Sequence, residues 1–325
     1  MLKRQKVLFL PPPPHRDRQY TENVLQSVGA KHDISIFDVQ KALAPQFEEV
    51  DVVIDEGGSH GTRAMMDVAG TVKLWQILGT GFDHFDLAYC KWKKIPVANC
   101  PGQFSAVGLA ETALMLLLML SRRWHFTQAN LERRIQGEPM GHELHGRSLG
   151  LIGFGTSAQE FARRVLPLGM KVKAIDIRNV SLEEQKEFGL EFVGGSNDLD
   201  RVVSESDYLS IHLHLNHETR NIMDARRIGL MKPGASVINV ARGALMDEEA
   251  LYQALKNGRL AGAGLDVFAH EPMDPNLPIL NLPQVIATPH IAGATDGTSR
   301  RRAACVAENV DRIAAGLEPL YRIDQ

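Results

Sequence analysis

Short apolar runs recur along the chain, separated by amphipathic segments. The first series covers residues 7–10, 34–37, 52–54, 74–78 and 97–99. A second covers 149–154, 172–176, 208–213, 236–240, 262–267 and 285–288. Brief runs rich in aliphatic and β-branched side chains predict strands, and apolar residues at consecutive positions predict burial on both faces. Strands alternating with helices in this way predict an α/β fold on parallel sheets. Between the series, residues 105–134 are rich in Leu and Met and predict helix, and 298–315 predict a last helix. If that helix returns to the first series, the first domain is discontinuous: residues 1–103 with 293–325, and residues 104–292 inserted between them.

Composition narrows the possibilities. A chain of 325 residues fits two domains of ordinary size. Hydrophobic residues at 44% and charged residues at 23% belong to a folded protein rather than a disordered one. A formal charge of -3 gives no reason to expect a nucleic-acid partner. Cys90, Cys100 and Cys305 make neither a disulfide framework nor a Cys-x-x-Cys zinc pair, so a cytoplasmic setting and no metal are expected. The most apolar stretch, 114–120, is too short to span a membrane. Pro11, Pro12, Pro13 and Pro14 cut off the first apolar run, too short for a signal-peptide core, and predict an extended connection.

The sequence Gly153-Phe154-Gly155-Thr156-Ser157-Ala158 follows a predicted strand and opens a predicted helix. Gly153 permits a tight turn, Gly155 lets backbone approach a pyrophosphate, and Ala158 lets helix and strand pack closely. The helix N-terminus offers free N–H groups and partial positive charge to the phosphates. Asp176, at the end of the next strand, is placed to accept hydrogen bonds from the ribose hydroxyls and to repel a 2′-phosphate. NAD is therefore favoured over NADP, with Arg178 close enough to soften the preference. Thr156 and Ser157 have two readings, as cofactor contacts or as helix caps, because Ser157-x-x-Glu160 is also a capping box.

Three ionisable residues follow predicted strands of the second series: Arg242 in Asn239-Val240-Ala241-Arg242-Gly243, Glu271 before Pro272, and His290 in Thr288-Pro289-His290. A 2-keto acid carries a carboxylate beside a carbonyl, and a planar guanidinium holds both. Histidine gives or takes a proton near neutral pH, and a carboxylate on its ring orients it and favours its charged form.

Over nearly its whole length the chain resembles the D-isomer-specific 2-hydroxyacid dehydrogenases. The resemblance rests on Gly79-Thr80-Gly81-Phe82-Asp83-His84-Phe85-Asp86, on Asn99-Cys100-Pro101-Gly102 with Leu109-Ala110-Glu111-Thr112, and on Glu143-Leu144-His145-Gly146-Arg147-Ser148-Leu149-Gly150. The order and spacing of Arg242, Glu271-Pro272 and His290 match as well. The resemblance implies two Rossmann-like or flavodoxin-like domains with parallel sheets, the NAD-binding domain inserted into a discontinuous substrate domain. It implies Arg242 as substrate anchor, Glu271 as histidine partner and His290 as acid/base. It also implies cofactor contacts from Thr80, the Val240-Ala241 backbone and Asp266, and substrate-carboxylate binding by the loop around Gly79 and Gly81. A homodimer joined through residues 114–134 is the family expectation.

Two departures bear on substrate choice. His214 stands where the family usually has proline, giving His212-x-His214, and residues 136–142 look shortened without the aromatic often found there. Alternation would put both imidazoles on one strand face, but no third metal ligand has suitable spacing, so core or loop histidines are expected rather than a metal pair. A glyoxylate- or hydroxypyruvate-type acid is expected. The 55–61 loop is expected to face the cleft, where Glu56 disfavours a strongly anionic tail unless a cation is near. No regulatory module is expected after residue 325. The rivals are a phosphoglycerate dehydrogenase-like enzyme, an NAD(H)-sensing scaffold like the corepressors of this fold, and a Rossmann-like methyltransferase, which leaves the trio without a task.

Overall fold

The computed structural model describes residues 3–11, 19–56 and 61–325; Pro12 to Pro14 and most of the 55–61 loop lie outside them. The chain forms two compact units, 1–105 with 295–325 and 106–294. In the first unit, β1 (Lys6–Leu10), β2 (Asp33–Ile36), β3 (Val52–Asp55), β4 (Leu74–Ile77) and β5 (Val97–Ala98) make a parallel sheet in the order β2-β1-β3-β4-β5. The two-residue period of a strand explains its consecutive apolar positions. Val7 and Phe9 join one core with Val24, Val28, Val306 and Val310. Leu8 and Leu10 join a second core on the other face with Phe47, Met66 and Trp75.

The second unit holds β6 (Ser148–Ile152), β7 (Lys171–Ile175), β8 (Leu190–Gly194), β9 (Tyr208–Ile211), β10 (Ser236–Asn239), β11 (Gly262–Leu265) and β12 (Val285–Ala287). They form a seven-stranded parallel sheet in the order β12-β11-β10-β9-β6-β7-β8. From β6 the chain winds first through β7 to β8, then crosses to β9 on the other side. That reversal is the switch point at which open α/β sheets leave a crevice beyond their strand ends.

The structure refines the sequence pattern in three places. Strand β8 was not predicted: it is an edge strand whose residues are only partly buried, so Leu190-Glu191-Phe192-Val193-Gly194 carries no apolar run. The 105–134 stretch is two helices, Ala106–Ser121 and Trp124–Glu132, parted where Arg123 adopts φ 52°. Strand β9 stops at Ile211, so His212 and His214 lie beyond it rather than on one strand face.

The helix Asp296–Ala314 brings the chain back into the first unit, where it packs against the helix Gln19–Gly29. Ala98 then bridges Arg322 in antiparallel fashion, and the Val97 N–H donates to Asp324 Oδ1 at 3.0 Å. Asn309 fastens this return. Its Nδ2 donates to Gln76 Oε1 at 2.7 Å in a fully buried pair, and its Oδ1 accepts the Leu320 N–H at 2.7 Å. Asn309→Ala leaves both groups without that partner and is expected to cost about 1–3 kcal/mol, the usual penalty for stranding a buried polar group. Denaturant unfolding of the full chain measures it; an unchanged midpoint would show that water replaces the amide at no cost.

Candidate active site and dinucleotide site

The loops that follow β6, β7, β9, β10, β11 and β12 all leave the same carboxyl edge of the seven-stranded sheet, because every strand in it is parallel. The residues singled out in the second unit sit on these loops.

After β6 the chain turns sharply at Gly153, whose φ is +91° and whose N–H donates to Ile175 O at 2.8 Å. A Cβ on Gly153 would lie 2.6 Å from the His212 carbonyl oxygen, so no side chain fits this turn. Gly155 caps the helix Thr156–Val165 and is exposed, and a Cβ there would meet no protein atom within 4 Å. Glycine here keeps open space in front of a helix N-terminus whose first N–H groups have no partner within the helix. That combination fits a dinucleotide pyrophosphate. Ala158 is fully buried, as close helix packing requires.

Asp176 shapes this turn. Its Oδ2 accepts the Phe154 N–H at 2.7 Å and its Oδ1 the Arg178 N–H at 2.9 Å. The Arg178 guanidinium donates to Glu184 at 2.6 and 2.8 Å and to Phe154 O at 2.9 Å. The capping-box reading of Ser157 does not hold. Gly155 is the cap, Glu160 pairs with Arg164 at 2.6 Å, and the Ser157 hydroxyl meets His212 Nδ1 at 3.0 Å. Thr156 is exposed on the first turn of the helix.

His212 is likewise no half of a metal pair. Its Nε2 is 2.9 Å from Ser210 Oγ, its ring lies 5.8 Å from that of Phe161, and burial pushes its pKa down to about 3. His214 is exposed, and among the described residues no cluster is arranged to hold a metal ion.

The three ionisable residues converge on the other half of the edge. His290 Nδ1 lies 2.6 Å from Glu271 Oε2, while Glu271 Oε1 accepts the Phe268 N–H at 3.0 Å. With Nδ1 engaged, Nε2 is the ring nitrogen left for chemistry, on a side chain 38% exposed. Burial pushes the Glu271 carboxyl up. The hydrogen bond and charge of His290, the Phe268 amide and the Arg242 charge outweigh it and hold that carboxyl below the usual carboxylate range. Arg242 donates from Nη1 to Ala241 O at 2.8 Å.

The residues that hold this arrangement carried less signal in the sequence. Asn239 clasps the Arg242 turn, Nδ2 donating to Arg242 O at 2.9 Å and Oδ1 accepting the Ala241 N–H at 3.0 Å. Gly243 is obligatory: a Cβ there would fall 1.9 Å from the Phe268 carbonyl carbon, so glycine lets the β10 and β11 loops touch. Asp266 is fully buried and fixes the histidine loop. Its Oδ1 accepts the Thr288 hydroxyl at 2.6 Å and the Ile291 N–H at 2.8 Å, and its Oδ2 accepts the Ala292 N–H at 2.9 Å. Burial pushes its carboxyl above the usual range against these donors and the His290 charge. Val240 and Ala241, just past β10, are buried.

Thr80 and its glycines lie in the first unit, past β4. Gly79 O accepts the Cys100 N–H at 3.2 Å, Thr80 O accepts Asn99 Nδ2 at 2.8 Å, and Thr80 Oγ1 lies 3.5 Å from Ser105 Oγ. Sequence reasoning missed Arg302 here. Its Nη2 donates to Thr80 Oγ1 at 3.3 Å, its Nε is buried without a partner, and no carboxylate among the described residues pairs with it.

Comparison with known proteins places this geometry in a family. The pattern of "D-isomer specific 2-hydroxyacid dehydrogenase, NAD binding domain" matches residues 114–292. A hydroxypyruvate reductase of Thermotoga maritima is 38% identical over 78% of this chain and 81% of its own length. A glyoxylate reductase of Thermococcus litoralis is 32% identical over 93% of each chain. The crystal structure of Aquifex aeolicus D-lactate dehydrogenase with NAD and lactic acid superposes with a TM-score of 0.82, at 30% identity over 98% of this chain and 99% of that one. The chain belongs to the D-isomer-specific 2-hydroxyacid dehydrogenases, enzymes that act on the CH–OH group of their donors with NAD(P).

Proposed function

We propose that this enzyme interconverts a small 2-keto acid of the glyoxylate or hydroxypyruvate type with its D-2-hydroxy acid. In this reading His290 is the acid/base, Glu271 its partner and Arg242 the substrate anchor. The observation that carries it is the 2.6 Å contact between His290 Nδ1 and Glu271 Oε2, with the Arg242 charge acting on the same carboxylate. When bound, the nicotinamide supplies the hydride for the carbonyl carbon in reduction and accepts it in oxidation. His290 gives the carbonyl oxygen a proton from Nε2 in reduction and takes it back in oxidation. Glu271, held ionised, fixes the ring that presents Nε2. Arg242 holds the carboxylate through its planar fork. Gly79 and Gly81 are assigned to the substrate carboxylate. Thr80, Gly155, Thr156, Ser157, Asp176, Val240 and Ala241 are assigned to contact the cofactor, while Gly153, Ala158 and the fully buried Asp266 are assigned to it through the loops they shape rather than by contact.

NAD is the preferred cofactor in this reading. Asp176 brings negative charge to the end of β7, and the Arg178 guanidinium, 4.0 Å from it, is engaged by Glu184. A second reading, an acid with a phosphate tail, is favoured by Arg302, a cation beside Thr80 that no carboxylate among the described residues pairs with. Against it stands Glu56, buried at the end of β3 and accepting the Thr21 hydroxyl at 3.2 Å. A homodimer through the two helices of residues 106–132 is also proposed, because Met115, Leu118 and Leu131 expose apolar surface there.

NADH oxidation against a panel of 2-keto acids, with NADPH in parallel, tests the reading. Glyoxylate or hydroxypyruvate should be fastest. Faster turnover of a phosphorylated acid would favour the second reading, and tight NADH binding with no turnover would favour a sensing scaffold. Asp176→Ser should improve NADPH use relative to NADH by about five-fold, matching the roughly 1 kcal/mol that two like charges repel in water at contact range. An unchanged ratio would remove Asp176 from cofactor selection.

The catalytic roles separate in variants. His290→Ala should lower kcat by about 10²–10⁴, the usual span of a general acid or base, while NADH still binds. Full activity of that protein at neutral pH would end the assignment. Glu271→Gln takes away the carboxylate that holds His290 Nδ1, so kcat should fall by about ten-fold, in keeping with the loss of one orienting hydrogen bond, while NADH still binds. An unchanged kcat would leave Glu271 without the partner role.

A further inference from the structure

Ser210, His212 and Ser157 form a chain of hydrogen bonds whose direction can be worked out from satisfaction alone. Ser210 lies on β9 and is fully buried, and among the described residues its hydroxyl has one partner, His212 Nε2 at 2.9 Å. The other ring nitrogen, Nδ1, lies 3.0 Å from Ser157 Oγ. With its pKa pushed down to about 3 by burial, the ring is neutral near pH 7 and carries one N–H and one lone pair. If Nε2 carried the proton, it would donate to Ser210 Oγ and strand the Ser210 hydroxyl proton in the interior without an acceptor. A buried donor left unmade is costly. If Nδ1 carries it, Ser210 O–H donates to Nε2 and Nδ1–H donates to Ser157 Oγ. Every group is then satisfied, and the Ser157 proton is left over.

Ser157 is the second residue of the helix Thr156–Val165 and is partly exposed, two positions past the Gly155 cap that faces open space. We propose that Ser210 and His212 are positioning residues that turn the Ser157 hydroxyl into a dedicated outward donor for an anionic ligand, the diphosphate of the dinucleotide. The inference rests on the assignment of the diphosphate to this helix N-terminus. It adds a side-chain donor to the backbone N–H groups and the helix dipole, which favour the same charge. The position of His212 is itself fixed by the turn, since the Gly153 φ of +91° seats that residue against the His212 carbonyl.

Two measurements test it. Long-range proton–nitrogen correlation on ¹⁵N-histidine protein, with the His212 signal assigned through His212→Gln, reads which ring nitrogen bears the proton. Protonated Nδ1 is expected; protonated Nε2 overturns the proposal. Calorimetric titration with NADH should show Ser157→Ala binding about 3–10-fold more weakly, the range of one hydrogen bond to a ligand. Ser210→Ala should weaken it about 2–5-fold although that residue is walled off from the ligand, because His212 loses the donor that fixes its tautomer. Adenosine, which has no phosphate, should bind all three proteins alike. Equal NADH affinity in wild type and Ser157→Ala would overturn the relay. Gly155→Ala keeps the two failures apart: if it leaves NADH affinity unchanged, the placement of the diphosphate at this helix is wrong, whatever Ser157 does.

Discussion

The buried Asp266 carboxylate is the constraint on which the catalytic half of the sheet edge depends. A carboxylate taken wholly out of water is expensive unless its lone pairs are met. Here a hydroxyl and two backbone N–H groups meet them, and all three come from the loop after β12. The same residue accepts the His290 N–H on its backbone oxygen at 2.8 Å. His290 sits at φ 55°, a left-handed conformation that a non-glycine residue adopts at a cost of roughly 1–3 kcal/mol. The loop cannot relax that strain without breaking the bonds to Asp266. The imidazole direction is thus set from beneath by a charge that never reaches the surface, and from the side by Glu271.

Around this anchor the neighbouring loops interlock. Glu271 is tied to its own loop through the Phe268 N–H, and Phe268 backbone presses on Gly243 of the β10 loop. Gly243 follows Arg242, whose turn Asn239 clasps. Arg242, Glu271 and His290 therefore come from the loops after three neighbouring strands, which are fastened to one another by the Phe268–Gly243 backbone contact, the short Asp266 side chain and the Glu271–His290 pair. Parallel strands make this possible. They deliver every loop to one edge, and the protein needs only short tethers across neighbouring strand ends.

Much of this was legible in the sequence, and the gaps have physical causes. Strands buried on both faces announce themselves as apolar runs, so both sheets could be read; β8 could not, because Glu191 interrupts its apolar residues and Gly194 ends them. The helical stretch before β6 was visible as Leu and Met density, but its break at Arg123 was not, since arginine carries no turn signature. Arg242, Glu271 and His290 were readable because a reaction demands particular residue types after particular strands. Asn239, Gly243 and Asp266 serve those residues through backbone contacts, and a single sequence does not say which loop an Asn or Gly will touch.

Ser157 and His212 show the limit most clearly. In sequence, Ser157-x-x-Glu160 satisfies a capping box, and His212-x-His214 satisfies the alternation of a strand face. Both patterns assume that the nearest partner lies close along the chain. The pairing of β9 beside β6 instead sets two residues 55 positions apart within 3.0 Å, and the local partners lose. The Ser157 hydroxyl goes to the imidazole because Gly155 already caps the helix, and Glu160 is drawn to Arg164 one turn on. His212 turns to Ser210 and Ser157 because the ring is half-buried where β9 ends, and an imidazole drawn out of water needs a partner on each nitrogen. A local motif is thus only a candidate: tertiary contacts decide whether it is used, and at a sheet edge where six loops converge they usually outbid it.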